Sequence, residues 1–491
     1  MAVRSGSKRF VETERVIAPN VGYDYIDDVV DAPIEDGPFK TPMWWWLGFF
    51  MALGLLGIYL ATVVYLITTG IGIFGNNQPV AWGFPIINFV WWIGIGHAGT
   101  LISAILLLFR QNWRTSINRS AEAMTLFAVV CAGLYPILHL GRPWLFYWLA
   151  PYPNTYGLFP QFRSPLDWDL FAISTYASVS LLFWFIGLVP DFATLRDRAG
   201  NTFMRWFYGL LSLGWNGSAK AWQRYQRAYL ILAAVSFPLV LSVHSTIATD
   251  FAVSQLPGWN NTIMPPYFVA GAVFAGFAFV NILLIPLRKA FGLEKLITLR
   301  HLDNSAKLML FTGMVVVYGY GLELFFGWYS GIEFERYAYW NRVFGEDHWW
   351  AFWLLILCNG VAIQPLWLKS IRQNPFWLFV ISIIVSIGMW LERFVIISVS
   401  LTKDFLPSSW GDFVPTLFDF SMYLGTFGLF FTLWFLFIRL LPSIATSEMK
   451  ELAHHDMHSH HGEDDHSDED ALTHHLSEAP EETLEREADS D

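Results

Sequence analysis

The chain has 491 residues, of which 54% are hydrophobic and 18% aromatic, while only 14% are charged. A soluble domain carries about 25% charged residues, so this composition predicts that lipid is the solvent and excludes a disordered or collagen-like chain. The two cysteines, Cys131 and Cys358, are too few for a four-cysteine cluster or a disulfide scaffold.

The net charge of −11 belongs to the end of the chain. Residues 448–491 hold 16 acidic residues against two basic ones, so the remainder is close to neutral and gives no indication of a nucleic acid as partner. Eight of the 13 histidines lie in the same segment. We expect a solvated, disordered tail, although its histidines could also bind a divalent metal.

Ten apolar runs are each long enough to cross a bilayer core of about 30 Å as a helix. They predict an all-α integral membrane protein in which residues 1–43 form an arm outside the membrane. The predicted spans are 44–68, 84–109, 121–141, 169–190, 229–253, 266–287, 305–328, 349–368, 376–400 and 417–441.

Lys and Arg are concentrated in alternate loops. The loops 110–119, 191–228, 288–303 and 369–374 together hold 15 of them, whereas the five intervening loops hold five. Because basic loops remain on the cytoplasmic side, we expect this set to face the cytoplasm. An even number of spans then places both termini in the cytoplasm as well.

Helices two and three resemble helices six and seven. The segments 91–110 and 269–288 share small residues, an apolar pattern and a terminal arginine. This repeat predicts two parallel four-helix bundles, helices 2–5 and 6–9, flanked by helices 1 and 10. The predicted organisation is an arm at 1–43, the first helix with its loop at 44–83, the first bundle at 84–253, the second bundle at 254–400, the last loop and helix at 401–441 and the tail at 442–491.

Ionisable residues inside the spans are the candidate functional residues, because each is costly in lipid. We expect seven of them towards the outer side, namely His139, Asp169, His244, Asp250, Glu323, Glu392 and Arg393. His97 lies near mid-bilayer among small residues, which suits either helix packing or a proton path.

Two further expectations concern Glu392 with Arg393, and Glu122. Glu392 and Arg393 are adjacent and emerge about 100° apart on a helix, so we expect each to find its partner elsewhere. Glu122, in the cytoplasmic half, is expected at the boundary between lipid and water.

His139 lies at the outer end of the third predicted helix and Asp169 begins the fourth on the same side. An imidazole and a carboxylate each exchange protons, and an apolar cavity with such a pair suits a lipid-soluble quinol. The scattered histidines do not favour a haem, so a partner protein is needed to accept the electrons. The loop 141–168 is either its docking surface or an ordinary capping loop. A transporter or ion channel would use similar buried charges and remains an alternative.

Several short motifs resemble those of the NrfD/polysulfide reductase C-like membrane subunits. They are HLGRP at 139–143, SPLDWD at 164–169, SVHS at 242–245, PPYF at 265–268, YGY at 318–320 with Glu323, WYSG at 328–331 and WLERF at 390–394. The resemblance covers about residues 84–415. It implies two four-helix bundles, a menaquinone or ubiquinone bound near the outer side, and a periplasmic iron–sulfur subunit that completes the electron path.

Within that family, the ten-helix plan is most similar to the quinol-oxidising, ActC-type subunits of bacterial alternative complex III. This resemblance implies the bacterial inner membrane, a second NrfD-like subunit and haem-c subunits, with menaquinol as the cofactor and no haem or metal in this chain. A quinone-reducing anchor of a polysulfide or nitrite reductase-type complex is the alternative.

Candidate roles for individual residues rest on the resemblance for His139 and Asp169, and on position within the spans for the others. His139 and Asp169 carry over as the catalytic quinol ligands, with Arg142 and Arg393 as further quinol-binding candidates. The candidates for a proton path are His97, His244, Asp250, Glu323 and Glu392.

Overall fold

The structure, a computed structural model, describes residues 16–19, 21–31, 34, 40–151 and 163–454. Regular structure in these residues is helical throughout, and ten helices are long and apolar enough to span a membrane. This confirms the predicted all-α integral membrane fold. The predicted division into domains is not tested by these observations and stays a prediction.

We label the main helices in chain order. They are α1 (Met43–Thr69), α2 (Phe84–Leu108), α3 (Asn118–His139), α4 (Pro165–Arg198), α5 (Thr202–Leu211), α6 (Ala219–Ala252), α7 (Met264–Ala290), α8 (Leu299–Tyr329), α9 (Glu333–Phe344), α10 (Trp349–Trp367), α11 (Pro375–Val399) and α12 (Leu417–Leu440). The short helices α5 and α9 lie between spans. Helices α4 and α6 extend past their predicted spans because their polar ends continue the helix beyond the apolar run.

The central helices pack in two groups of four. In the first, α2 packs against α3 and α6, while α4 packs against α3 and α6. In the second, α7 packs against α8 and α11, and α11 packs against α10. The groups meet where α2 touches α7: a Cβ atom added to Gly276 would lie 1.6 Å from the Cβ of Ala98. Glycine therefore permits the direct contact between these two helices.

The two flanking helices form a pair beside the first group. Helix α12 packs along α1 and also touches α2 and α3. A Cβ atom on Gly428 would lie 2.3 Å from the backbone nitrogen of Leu56, so these backbones also run in close contact. Trp45 fixes the pair near one end by donating a hydrogen bond to the carbonyl oxygen of Phe435 (3.0 Å).

One end of the molecule, which we call the basic end, is formed by segments that precede, connect and follow the membrane helices. Here the backbone nitrogen of Ala18 donates to the carbonyl of Lys295 (3.0 Å). Asp27 pairs with Arg198 at the end of α4 (2.6 Å) and with Lys450 (2.5 Å). The N-terminal arm, the basic loops and the segment after α12 therefore meet at the same end, which agrees with an even number of spans.

The segment after α12 is more ordered than its composition predicts. Residues 446–454 are helical, and Ile444, Ala445 and Met449 are buried. Glu448 forms an ion pair with Arg114 (2.7 Å). The expectation of disorder from residue 442 is therefore wrong for residues 443–454, because apolar side chains and paired charges anchor them. Residues 455–491 lie outside the described residues.

Candidate functional site

A cavity of about 560 Å³ lies between α2, α3, α4 and α6, towards the end opposite the basic end. Its walls are mainly apolar, and its ionisable side chains are His139, Asp169 and Asp250. The apolar lining includes Trp82, Phe89, Val90, Val129, Leu134, Pro136, Phe146, Leu170, Ile173 and Phe251. An apolar space with a few convergent polar groups is the usual form of a small-molecule site.

His139 and Asp169 reach this cavity from the adjoining ends of α3 and α4. His139 is the last residue of α3, which ends in a turn where Gly141 has φ of +68°. Asp169 lies in the second turn of α4, whose first residue is Pro165. The Nδ1 atom of His139 and the Oδ1 atom of Asp169 are buried, and neither has a hydrogen-bond partner among the described residues. Both atoms are thus available to a ligand.

Asp250 joins the pair from α6. Its carboxyl group lies beside that of Asp169, and its Oδ1 atom has no partner in the described part of the chain. Two neighbouring carboxyl groups can share one proton. Asp250, which was predicted to belong to a proton path, thus lies in the cavity wall.

The cavity is open towards the lipid-facing surface. Three apolar lining residues remain well exposed: Val130 by 47%, Phe146 by 52% and Leu166 by 42%. Because these three apolar side chains line the cavity and also reach the surface of the helix bundle, they mark a lateral route by which a hydrophobic ligand can enter.

The two arginine candidates lie elsewhere. Arg142 is exposed in the turn after α3 and does not line the cavity. Arg393 is buried in α11, where its guanidinium lies 4.1 Å from the ring centroid of Phe268. The structure therefore does not bring either arginine to His139 and Asp169.

A second set of polar residues lies across the middle of the molecule. We call it the polar row, and its ionisable members are Glu122, His97, His244, Arg393, Glu392 and Glu323. At its centre the Nδ1 atoms of His97 in α2 and His244 in α6 are 3.1 Å apart. Tyr176 of α4 stacks on the ring of His97 (4.5 Å between centroids) and donates to the carbonyl of Gly96 (2.7 Å). The contact between His97 and His244 is therefore a polar one, and the Nε2 atoms of both rings lack partners among the described residues.

The ring of Phe268 lies between the ring of His244 (6.1 Å between centroids) and the guanidinium of Arg393, and beyond it the polar row includes Arg393 and Glu392 of the second group. These two side chains form an ion pair with each other, so the expectation that each finds its partner elsewhere is wrong. The helix directs their Cβ atoms apart, but both side chains are long enough to bend together. Glu392 also accepts a hydrogen bond from Tyr320, whose hydroxyl accepts one from the Asn359 amide (2.8 Å).

Beyond Glu392 the row meets a second ion pair. Glu323 of α8 and Arg342 of α9 are buried and 2.6 Å apart. A cavity of about 10 Å³ lies between this pair and Glu392, and Tyr320 also lines it. That volume is enough for about one water molecule.

In the other direction the row leads towards the basic end. Thr100 donates to Ser180 (3.1 Å), and its backbone nitrogen donates to Thr125 (2.9 Å). One turn further on, Glu122 accepts hydrogen bonds from Ser103 and from Tyr229 (2.8 Å). Glu122 is buried within the protein and does not lie on the surface of the bundle.

Several residues of these sites were not predicted from the sequence. Arg342 lies outside the predicted spans, and Tyr176, Tyr320 and Asn359 are ordinary residues of apolar helices. The PPYF and YGY motifs pointed to the right segments but not to these contacts. Among the described residues, no group of three or more His, Cys, Asp or Glu side chains is arranged to hold a metal.

The chain is similar to known membrane subunits. Residues 72–403 match the family described as "Polysulphide reductase, NrfD". The membrane subunit of a candidate dimethyl sulfoxide reductase of Halobacterium salinarum is 25% identical over 357 residues, which cover 71% of this chain and 75% of that protein.

Two further relatives are more distant but cover more of the chain. The selenate reductase C-type subunit of Mesobacillus selenatarsenatis is 22% identical over 81% of this chain and 92% of its own length. The Hdr-like menaquinol oxidoreductase integral membrane subunit of Archaeoglobus fulgidus is 20% identical over 82% of this chain and 93% of its own.

Proposed function

The chain belongs to the polysulphide reductase NrfD family, the multi-pass membrane subunits of quinone-linked oxidoreductases, and from this premise we propose that it oxidises menaquinol in the cavity between α2, α3, α4 and α6. The two electrons pass to an iron–sulfur partner subunit above the cavity. His139 and Asp169 bind the headgroup and take its protons, and Asp250 supports Asp169.

One observation carries this proposal: a lipid-accessible apolar cavity holds three buried polar atoms without partners among the described residues, on His139, Asp169 and Asp250. A quinol headgroup has two hydroxyl groups at opposite ends of one ring, each of which needs a hydrogen-bond partner. A carboxyl pair at one hydroxyl and an imidazole at the other supply these partners.

The carboxyl pair and the imidazole of His139 also suit the proton chemistry of quinol oxidation. Oxidation of one quinol releases two protons and two electrons. The carboxyl pair, while it holds one proton, accepts a second at Asp169, and the imidazole of His139 accepts the other. Asp250 holds the Asp169 carboxyl in place and offers the proton a way out of the cavity. The electrons leave to an acceptor that a partner protein supplies.

The direction of electron flow and the quinone type rest on the relatives. The Archaeoglobus fulgidus relative is named as a menaquinol oxidoreductase subunit, which favours menaquinol as the reductant. The other two relatives are named as subunits of reductases, so a quinone-reducing anchor of a polysulfide or nitrite reductase-type complex is the alternative.

The wider assembly in this proposal is of the alternative complex III type. The pair α1 and α12 extends the eight helices of the two central groups to ten, as in that type of subunit. We infer a second NrfD-like subunit, a periplasmic iron–sulfur subunit and haem-c subunits as partners. The basic loops favour a location of both termini on the cytoplasmic side of a bacterial inner membrane.

Proton translocation is a second candidate function, favoured by the polar row. Polar side chains are spaced from Glu122 through His97 and His244 to Glu392 and then Glu323, with the ring of Phe268 between His244 and Arg393. Intramembrane ionisable residues that form such a series mark proton relays in pumps. In this proposal, quinol oxidation in the neighbouring cavity drives protons along the row.

Replacement of one carboxyl group tests the quinol site. Asp169→Asn keeps the size and the hydrogen bonding of the side chain but removes a proton acceptor, so we expect menaquinol oxidation by the purified complex to fall about 100-fold. The matched control is Glu333→Gln, an exposed residue at the start of α9. Unchanged turnover in Asp169→Asn, with the complex still assembled, would rule out the assigned role.

A further inference from the structure

A groove at the basic end, between α4 and α6, belongs to neither the quinol cavity nor the polar row. It encloses about 510 Å³ and is lined by the last apolar part of α4, the turn after α5 and the first turns of α6. Ile186, Val189 and Ala228 form an apolar wall, whereas Lys220 and Arg224 lie on the α6 side of the groove. The groove therefore combines an apolar part with a cationic one.

The two cations are not neutralised within the described residues. Lys220 and Arg224 lie one turn apart on α6, both are exposed, and neither pairs with a described acidic side chain. Glu448 reaches the groove wall, where Tyr225 donates to it (3.1 Å), but it is already paired with Arg114. The groove thus offers two positive charges to an anion.

Helix α5 places the groove at the depth of the lipid headgroups. Phe203, Trp206 and Leu210 recur at helical spacing on one face and are exposed by 62%, 64% and 60%. On the opposite face, Tyr208 is buried and packs against Phe192 of α4, with 6.2 Å between ring centroids. A helix with one apolar face open and the other held by protein lies in the plane of the membrane surface.

The turn that closes the groove is held in a fixed shape. Leu213 has a φ of +49°, a conformation that a side chain such as leucine adopts only when its surroundings enforce it. Arg196 of α4 enforces it by donating to the carbonyl of Trp215 (3.3 Å) and to the hydroxyl of Ser212 (3.4 Å). Trp215 packs edge-on against Trp222, with 5.1 Å between ring centroids. The groove is therefore formed before any ligand arrives.

We propose that this groove binds an anionic phospholipid. The phosphate lies between Lys220 and Arg224, and one acyl chain lies along Ile186, Val189 and Ala228. Charge complementarity favours this occupant, since basic pockets between membrane helices on the cytoplasmic side bind anionic headgroups. A free phosphate would use only the cations, and a neutral lipid would use only the apolar wall.

The test measures phospholipid retained by the protein, purified from membranes with the subunits that accompany it, after exchange into nanodiscs. With phosphatidylglycerol in a phosphatidylcholine background, we expect the wild-type protein to retain phosphatidylglycerol. Lys220→Gln with Arg224→Gln should lower this retention about tenfold or more, because each cation near an anionic surface contributes about a factor of five. The control replaces Lys289 and Lys369 by Gln, two exposed lysines at the same end and outside the groove.

Two further arms separate the possible occupants. Ala228→Trp fills the apolar part without a change of charge and should also release the lipid, whereas inorganic phosphate in the buffer should not displace it. Equal retention by the two double variants, or displacement by inorganic phosphate alone, would overturn the proposal. Phosphatidylglycerol retention that Ala228→Trp leaves unchanged would also overturn it, because it would show that the acyl chain does not occupy the groove.

Discussion

The carboxyl groups of Asp169 in α4 and Asp250 in α6 lie side by side in the wall of the cavity that His139 also lines. The two residues are far apart in the sequence, and only the packing of α4 against α6 brings them together. The contact changes the proton chemistry of the site, because the pair holds and transfers protons as a unit.

The first prediction concerns Asp250. In Asp250→Asn the amide still bonds the Asp169 carboxylate but no longer carries a proton away from it. We expect the kcat of menaquinol oxidation to fall about 10- to 100-fold with a smaller change in KM, since the headgroup ligands remain. Steady-state kinetics of the purified complex measures both constants. A rise in KM with unchanged kcat would instead show that Asp250 only shapes the cavity.

The second prediction separates proton translocation from quinol chemistry. His97→Phe interrupts the polar row at its centre but leaves the cavity residues in place, so quinol oxidation should continue within about a factor of five. Proton release in sealed vesicles should fall to about one proton per electron, the yield of quinol oxidation itself. His348→Gln, at a surface pair with Asp412, is the control. A wild-type yield of only about one proton per electron would exclude pumping.

The third prediction concerns the buried pair between Glu323 and Arg342. Arg342→Met leaves the Glu323 carboxylate buried without its partner, so the free energy of unfolding should fall by about 3–5 kcal/mol. Replacing both residues, Glu323→Leu with Arg342→Met, removes the unpaired charge and should recover more than half of the loss. Denaturant titration in mixed micelles measures this, and equal loss in the single and double variants would contradict it.

The fourth prediction is a pH dependence at the basic end. Burial, together with the negative charge of Asp191, raises the pKa of Asp31 from 3.8 to about 7, although Thr446 donates a hydrogen bond to it and Arg198 lies beside it. Because the pKa is higher in the folded state than in the unfolded chain, protonated Asp31 stabilises the packed arm fully below about pH 4. This stabilisation is lost as the pH rises through 7.

Hydrogen exchange of residues 443–454 at about pH 5 and about pH 8.5 checks this expectation. Exchange, corrected for its intrinsic pH dependence, should be faster at the higher pH in the wild-type protein. Asp31→Asn should remove the difference, whereas Asp28→Asn, an exposed neighbour, should retain it. A difference that persists in Asp31→Asn would assign the titration to another group.

The helices and their order were predictable from the sequence because each membrane span needs its own apolar run. The predicted spans match the ten observed ones, apart from the polar extensions of α4, α6 and α8. Individual contacts were less predictable. His139 and Asp169 were expected to lie together because each ends or begins a helix beside one loop, and both line the cavity. The ion pair of Glu392 with Arg393 was missed because helix geometry fixes Cβ directions and not side-chain ends.

The sequence alone determined that this protein is a bundle of membrane-spanning helices with its basic loops at one end, because the cost of polar groups in lipid acts on each segment separately. Only the tertiary structure decided which ionisable residues meet. It joined Asp250 to Asp169, His97 to His244 and Arg342 to Glu323, since a buried charge takes its partner from whichever helix packs beside it.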